Sequence, residues 1–298
     1  MFTRPLIVNF VPTGAVADPG RNPHVPVTLD RIVEDVAGAA AAGVAIAHLH
    51  VRNEDASPSA DPARFDALFG ALRARPDCAD LIHCASTSGR HGQTPEGRAA
   101  VLDLPSATRP DMASLTLGSV NFPAGVSVNA PDTIRYLARR MQEQGVKPEL
   151  EIFDLGMIEF ARTLIGEGLL TPPYAFNIIL GNISGLQATV QHLGMALGQL
   201  PEASIVCIGG IGKSQFRANA LGVTAADGIR VGLEDNLWVI EGGHKVPATN
   251  QGLVEAAFRV AGALRREIAS PLEAREILGL PPPARRRNVT PIRKAGSA

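Results

Sequence analysis

Residues 29–52, LDRIVEDVAGAAAAGVAIAHLHVR, show the structural unit that the rest of the chain repeats. An amphipathic stretch over residues 29–42 predicts a helix, and Thr28 before it with an acid at Glu34 is typical of a helix start. The apolar run over residues 44–50 that follows predicts a buried strand. A strand that is apolar throughout is typical of a parallel sheet whose faces are covered by helices.

The same alternation of strand and helix continues along the chain. Strands are predicted over residues 6–12, 44–50, 81–85, 112–117, 150–153, 176–180, 205–208 and 229–233. Helices are predicted over residues 29–42, 62–74, 94–102, 131–144, 158–166, 186–200, 213–221 and 253–266. Eight strand–helix units predict a (β/α)8, or TIM, barrel. An open doubly wound sheet with the same number of strands stays an alternative, because periodicity does not distinguish the two.

A short predicted helix over residues 272–278 extends the barrel at its carboxyl end. Three prolines at 281–283 and three arginines at 285–287 follow it. We therefore predict one barrel domain over residues 1–280 and a Pro/Arg-rich tail over residues 281–298.

Composition limits the functions that the chain can have. The 28 Lys and Arg residues balance 29 Asp and Glu residues, so no strong net charge attracts nucleic acid or an anionic membrane, and we expect a small-molecule partner. The three cysteines are scattered and show neither a disulfide framework nor a C-x-x-C zinc motif. The apolar run at 36–47 is shorter than the roughly 20 residues that span a bilayer, and no signal peptide precedes the first strand. These features predict a cytoplasmic protein.

Candidate metal ligands stand at the ends of the second and last predicted strands. His48 and His50 are two residues apart, so both imidazoles lie on one face of a strand and can bind one ion. Imidazoles suit zinc, and a catalytic zinc site usually has a third protein ligand and an open position. Glu234 and Asp235 end the last strand, where one acid can bind metal while the other acts as a base oriented by Arg230. Core histidines and a helix-capping acidic pair are the alternative interpretations.

Other strand ends carry hydroxyl groups and acids. Hydroxyls and free amides at such ends can bind a carboxylate or a phosphate, although an ordinary Ser/Thr turn explains them equally well. The residues concerned are Ser86 and Thr87 after the third strand, Ser114 and Thr116 on the fourth, and Glu149 and Glu151 on the fifth. Glu151 inside a barrel would be costly unless it is paired.

A glycine-rich turn, GGIGKSQ at residues 209–215, follows the seventh predicted strand. The spacing does not match the G-x-x-x-x-G-K motif of nucleotide triphosphatases. The position favours a phosphate site built from Gly210, Gly212 and Lys213, because loops after the seventh and eighth strands of such barrels often hold phosphate. A structural strand-to-helix turn is the alternative.

Taken together, these motifs resemble the β-keto acid cleavage enzymes over about residues 6–280. The resemblance rests on PTGA at 12–15, HLHVR at 48–52, PELEIFD at 148–154, RVGLEDN at 230–236 and EAREILG at 273–279. It implies a zinc-bearing barrel, usually tetrameric, that exchanges acyl groups between a β-keto acid and acetyl-CoA. The implied products are acetoacetate and a new acyl-CoA.

The resemblance also assigns roles to individual residues. Matched by motif, the zinc ligands are His48, His50 and Glu234, and the catalytic base with its partner is Asp235 with Arg230. Glu151 matches a further active-site acid, and Ser86 and Ser114 match contacts to the substrate carboxylate. The implied mechanism is removal of the α-proton by Asp235, followed by a retro-Claisen cleavage with zinc as Lewis acid. The glycine-rich turn and Lys213 would hold CoA phosphates.

One position departs from the family pattern. Members that act on amino-bearing substrates are similar in having an acid after the first strand, where this chain has Ala15 within Gly14–Ala17. A cationic substrate is therefore not expected. Arg90 and His91 are candidates to receive an anionic or hydroxylated tail instead, although exposed loop charges explain them as well.

Two other functions compete with this interpretation. A zinc hydrolase would use a metal-activated water whose proton passes to Asp235, but the best-known barrels of that type carry their H-x-H pair on the first strand. A barrel that only binds a metabolite would require His48, His50, Glu234 and Asp235 to converge by chance.

Overall fold

The computed structural model describes residues 4–15, 17–90, 93–123 and 125–283. Eight parallel strands form a closed barrel in which β1 pairs with both β2 and β8, so the open sheet is excluded and the predicted TIM barrel is confirmed. The strands are β1 Ile7–Phe10, β2 Ile46–Leu49, β3 Ile82–Ala85, β4 Met112–Thr116, β5 Lys147–Ile152, β6 Tyr174–Leu180, β7 Ser204–Gly210 and β8 Gly228–Val231.

Helices that follow the strands cover the outside of the barrel close to their predicted positions, and the last helix closes its amino-terminal end. They are α1 Leu29–Ala42, α2 Pro62–Ala74, α3 Pro95–Ala99, α4 Pro131–Gln144, α5 Leu155–Gly166, α6 Val190–Leu197, α7 Gln215–Ala225, α8 Asn250–Ala263 and α9 Pro271–Ile277. Helix α6 is shorter than its predicted range of 186–200. Its start is set by Thr189, whose hydroxyl accepts a hydrogen bond from the His192 amide.

Three small antiparallel hairpins were not predicted. They follow β2, β4 and β8, so they stand at the carboxyl end of the barrel. Their strands have two to four residues, which is too short to show a two-residue period. The pairs are Val51–Arg52 with Pro58–Ser59, Val120–Phe122 with Gly125–Ser127, and Trp238–Glu241 with His244–Pro247.

The amino-terminal end of the barrel is closed by an apolar cluster that we call the floor. Interior side chains of the strands meet Ala274 and Leu278 from the α9 segment there. Arg275 on α9 binds both carboxylate oxygens of Asp111 at 2.9 Å each, which fixes the helix to the start of β4. Because the floor is filled, polar interior side chains have access to solvent at the carboxyl end. The floor strands contribute Ile7, Ile46, Ile82, Met112, Ala175 and Ile205.

Two expectations from the sequence concern the carboxyl-terminal tail and the ability of a helix to cross a membrane. Residues 284–298, most of the predicted tail, lie outside the described residues, so the domain boundary at 281 stays a prediction. No helix in the described part of the chain combines the length and apolar character needed to cross a bilayer.

Candidate active site and metal centre

The structure brings the three predicted metal ligands together at the carboxyl end of the barrel. His48 is on β2, His50 follows that strand, and Glu234 follows β8. One donor atom from each residue lies within 4.8 Å of the other two. The His50 Nε2 atom is 3.4 Å from Glu234 Oε1, and the His48 Nε2 atom is 3.9 Å from Glu234 Oε2. We call these residues the ligand triad.

The donor atoms of the ligand triad fit a divalent cation. Glu234 Oε2 is buried and has no hydrogen-bond partner among the described residues, whereas buried carboxylate oxygens are normally bonded. The other ring nitrogen of His48 is occupied by a carboxylate, which directs Nε2 towards Glu234. Two imidazoles and one carboxylate are a donor set that suits a divalent cation and leaves a position open.

The residue that orients His48 is Glu149, which sequence reasoning noted without assigning it a role. Its Oε2 atom lies 2.7 Å from His48 Nδ1, and its Oε1 atom accepts a hydrogen bond of 2.5 Å from Asn9. Metal-binding histidines commonly have such a carboxylate partner on the second nitrogen. Despite burial, which lowers it, the charges of Glu149 and Glu234 raise the pKa of His48 to about 9. The sequence signal that could have assigned Glu149 to the site is its two-residue spacing from Glu151, which puts both acids on one face of β5.

Arg230 connects the acids of the site. Its side chain is buried on β8, and its Nε donates to Asp235 Oδ2 at 2.7 Å. Its Nη2 donates to Glu234 Oε1 at 2.7 Å, and its Nη1 lies 3.5 Å from Glu151 Oε1 without a hydrogen bond. A Cβ atom at Gly209 would lie 3.1 Å from the Arg230 Cβ, so the glycine gives the guanidinium room inside the barrel.

The pKa values of the two adjacent acids after β8 are shifted in opposite directions. Burial raises the pKa of Asp235, although the charge of Arg230 and its hydrogen bond oppose the shift. Despite burial, the charges of Arg230, His50 and His48 hold the pKa of Glu234 well below its usual range. Such a division between neighbouring acids is typical of a site where one carboxylate transfers protons and another stays ionised.

Glu151 is the third acid of the site. Burial raises the pKa of Glu151, and the Thr116 hydroxyl donates to its Oε2 at 2.6 Å. The hydroxyl therefore supplies part of the pairing that a buried acid requires.

An open cavity is lined by the ligand triad, and its empty space of about 690 Å³ includes open solvent. Thr87 is not on this wall: its hydroxyl donates to the Ser114 carbonyl at 2.5 Å, and it lines a smaller adjoining cavity. The predicted site residues that the main cavity brings together are His48, His50, Ser86, Ser114, Thr116, Glu151, Arg230, Glu234 and Asp235.

The glycine-rich turn lies beside this cavity and reaches it through Ile211. Gly210 belongs to β7, where a Cβ atom would lie 2.6 Å from the Ala218 Cβ, so the glycine permits close packing of α7. The Gly212 amide donates to the Asp235 carbonyl at 2.8 Å, which fixes the backbone next to that acid. Lys213 is exposed. Among the described lining residues of the main cavity, Gly210, Gly212 and Lys213 are absent, so their role in CoA binding stays a prediction.

Comparison with known families gives the site its context. The family model described as beta-keto acid cleavage enzyme matches residues 5–280 of this chain. The chain belongs to the β-keto acid cleavage enzyme family. The resemblance inferred from the sequence motifs is thereby confirmed, and so is the prediction of an acyltransferase at the level of the family.

Named relatives of this β-keto acid cleavage enzyme match it along most of their length. The 3-keto-5-aminohexanoate cleavage enzyme of Acetoanaerobium sticklandii is 36% identical over 92% of this chain and 98% of its own length. The 3-oxoadipate:acetyl-CoA acetyltransferase of Cupriavidus necator is 34% identical over 94% of this chain and 96% of its own length. Among solved structures, apo ObcA superposes with a TM-score of 0.74 at 23% identity. That match covers 87% of this chain and 66% of the ObcA chain, and it shows the shared fold.

Proposed function

We propose that this enzyme transfers the acyl group of a β-keto acid to the CoA of acetyl-CoA and releases acetoacetate. The observation that carries the proposal is the position of Asp235, a buried carboxylate of raised pKa that Arg230 holds next to the metal ligand Glu234. The name of the Cupriavidus necator relative supports acetyl-CoA as the co-substrate.

The ligand triad of His48, His50 and Glu234 would hold the metal, for which we propose zinc, because imidazole and carboxylate donors suit that ion. When bound, the ion would supply Lewis-acid stabilisation of the negative charge that develops on the β-keto oxygen.

Asp235 acts as the general base in the proposed reaction. It removes a proton from the carbon between the keto group and the carboxylate, and the resulting carbanion attacks the thioester carbonyl of acetyl-CoA, releasing the CoA thiolate. The thiolate then attacks the original keto carbon, the carbon–carbon bond breaks, and the new acyl-CoA forms. The departing acetoacetate carbanion takes the proton back from Asp235. Arg230 keeps the carboxylate in place during both transfers through its two hydrogen bonds.

Other residues of the cavity bind the substrates. Ser86 and Ser114 line the cavity near the ligand triad and would donate hydrogen bonds to the substrate carboxylate, with Thr116 and Glu151 beside them. Thr87 supports this wall because its amide donates to the Ser114 hydroxyl oxygen at 3.0 Å. Lys213 is exposed next to the cavity and, with Gly210 and Gly212, is our candidate for the CoA phosphates. A tetrameric assembly and a cytoplasmic location stay predictions.

The decisive experiment combines metal analysis with an assay for acetyl-CoA-dependent formation of acetoacetate from a panel of β-keto acids. We expect Glu234→Ala to lose metal. We expect Asp235→Asn to keep metal and to lose about 10²- to 10⁴-fold in kcat, the usual contribution of a general base. Asp77→Asn, at an exposed acid remote from the site, is the matched control.

Two results would overturn the proposal. Full activity of Asp235→Asn would show that another group removes the proton. Cleavage of the β-keto acids without acetyl-CoA would favour the hydrolase, in which Asp235 takes a proton from water.

A further inference from the structure

We infer that Arg90 binds an anionic group at the far end of the substrate, so that the enzyme prefers β-keto acids that carry a second carboxylate. This inference rests on the proposed function and names its substrate class. Arg90 follows β3 and lines the same cavity as the ligand triad and Asp235. One small molecule can therefore contact the reacting groups and Arg90 together.

Two aromatic rings hold the guanidinium of Arg90 in place. Its Cζ atom lies 3.7 Å from the centroid of the Phe122 ring, and Phe122 packs edge-on against Phe153 at 5.5 Å. A guanidinium stacked on a ring keeps the N–H groups at its edge available, and these match the geometry of a carboxylate. Because the stack already orders the side chain, little conformational entropy is lost when an anion binds.

The charge of Arg90 has no carboxylate partner among the described residues. The three acids of the cavity pair with Arg230 instead, at 2.7 Å for Glu234 and Asp235 and at 3.5 Å for Glu151. A partly buried cation without an ion-pair partner is an unusual feature of a protein interior. The charges of Glu234, Glu151 and Asp235 act on Arg90 from across the cavity, but no ion pair occupies its guanidinium N–H groups, which stay available to an anion.

A second arginine adds positive charge beside Arg90. Arg98 lines the adjoining cavity together with Arg90, and its guanidinium donates to the Thr87 carbonyl at 2.8 Å and to the Asn129 side-chain oxygen at 2.6 Å. Within the part of the chain that the structure describes, the Arg98 guanidinium forms no ion pair with a carboxylate, so it adds positive charge to this end of the cavity.

The remaining wall accepts an anion without introducing a competing acid. The main cavity and the adjoining cavity share Ala15, Ser86 and Ser88 with Arg90. Ala15 contributes a methyl group, and Ser88 contributes a hydroxyl that can donate to the second carboxylate. The described residues unique to the adjoining cavity supply no carboxylate: they are Pro58, Ser59, Ala60, Thr87, Gln93 and Arg98. A dianionic β-keto acid would thus yield acetoacetate and an acyl-CoA that retains a free carboxylate.

The test compares two substrates of equal carbon number with the metal-loaded enzyme. One is a β-keto dicarboxylic acid, and the other ends in a methyl group in place of the second carboxylate. We expect kcat/KM for the dicarboxylic acid to be about 10- to 100-fold higher, the range for a hydrogen bond to a charged group. Arg90→Met, which keeps a long side chain against Phe122, should abolish most of that preference through a higher KM.

Two controls separate specificity from general damage. Arg217→Met replaces an exposed arginine on α7 and should keep the preference. Calorimetry with an unreactive linear dicarboxylate should show weaker binding to Arg90→Met than to the wild type, independently of turnover.

The possible outcomes separate this inference from the proposed function. If the wild type converts both substrates equally well, or Arg90→Met retains the preference, the inference is wrong while the proposed function stands. If the wild type forms acetoacetate from neither substrate nor from any other member of the panel, the proposed function is wrong and the inference fails with it.

Discussion

Two buried arginines at opposite ends of the barrel differ in how completely their hydrogen bonds are satisfied. At the floor, all three nitrogens of Arg275 are bonded: Nη1 and Nη2 each bind Asp111 at 2.9 Å, and backbone carbonyls take the remaining donors. At the carboxyl end, Arg230 faces Glu151, Glu234 and Asp235, yet its Nη1 has no hydrogen-bond partner among the described residues.

The difference in hydrogen bonding indicates that Arg275 serves stability and that Arg230 serves the functional site. A buried ion pair with every donor used holds two elements together, and removing one member leaves an uncompensated charge. A cluster with unpartnered atoms, here Arg230 Nη1 and Glu234 Oε2, is costly for folding. Such costs are typical of sites that bind a metal or substrate, because the ligand supplies the missing partners.

The largest effect that tests this comparison is expected at the floor. Arg275→Ala should lower the free energy of unfolding by about 3–5 kcal/mol, because Asp111 would stay buried with only the His83 amide at 3.1 Å and the longer contact of 3.6 Å to Arg73. Denaturant unfolding measures the change, and turnover per folded molecule should be retained. Arg217→Ala, at an exposed arginine, should change stability by less than about 0.5 kcal/mol. A loss of under 1 kcal/mol for Arg275→Ala would show that the pair does not secure α9.

The second test concerns Glu149, the carboxylate behind His48. Glu149→Gln should weaken metal binding by about 10- to 100-fold, the usual range for a carboxylate that orients a metal-binding histidine. The amide fits the same space, since Asn9 Oδ1 has no partner among the described residues and can accept from it after a flip of the Asn9 side chain. Competition with a chelator measures the affinity, and the melting temperature of the metal-free protein tests the fold.

An exposed acid provides the matched control for this substitution. Glu202→Gln should leave the metal affinity unchanged. Equal affinities of wild type and Glu149→Gln would mean that Glu149 only fills space in the barrel.

The ligand triad could be predicted from sequence because barrel topology brings its strands close together. Only β1 separates β2 from β8, so residues at the carboxyl ends of those two strands are near neighbours in any closed barrel with this chain order. The strands and helices were predictable for a similar reason, since their apolar periods extend over many residues. The hairpins after β2, β4 and β8 are too short to carry such a pattern.

The contact between Glu149 and His48 could not be predicted in the same way. It joins β5 to β2 across the barrel interior, and neither strand pairs with the other. Which side chains meet across a barrel depends on strand tilt and stagger, which local sequence patterns do not specify. The stacking of Arg90 on Phe122 likewise depends on a hairpin that periodicity did not reveal.

The smallest effect in this series concerns His83, which is buried on β3 and stacks on Phe69 at 5.6 Å. Burial, together with the charge of Arg73, lowers its pKa from 6.5 to about 3. The unfolded chain therefore binds a proton between these pH values that the folded chain does not, so stability falls as the pH drops below 6.5. At pH 5.5 the loss should be about 1.4 kcal/mol, and His83→Leu should remove it. Urea unfolding at pH 7.5 and 5.5 measures the difference.

Phe69→Leu should lower stability at both pH values and keep the pH dependence, because it removes the stacked ring and leaves the imidazole buried. An unchanged pH dependence in His83→Leu would mean that another group causes the acid sensitivity.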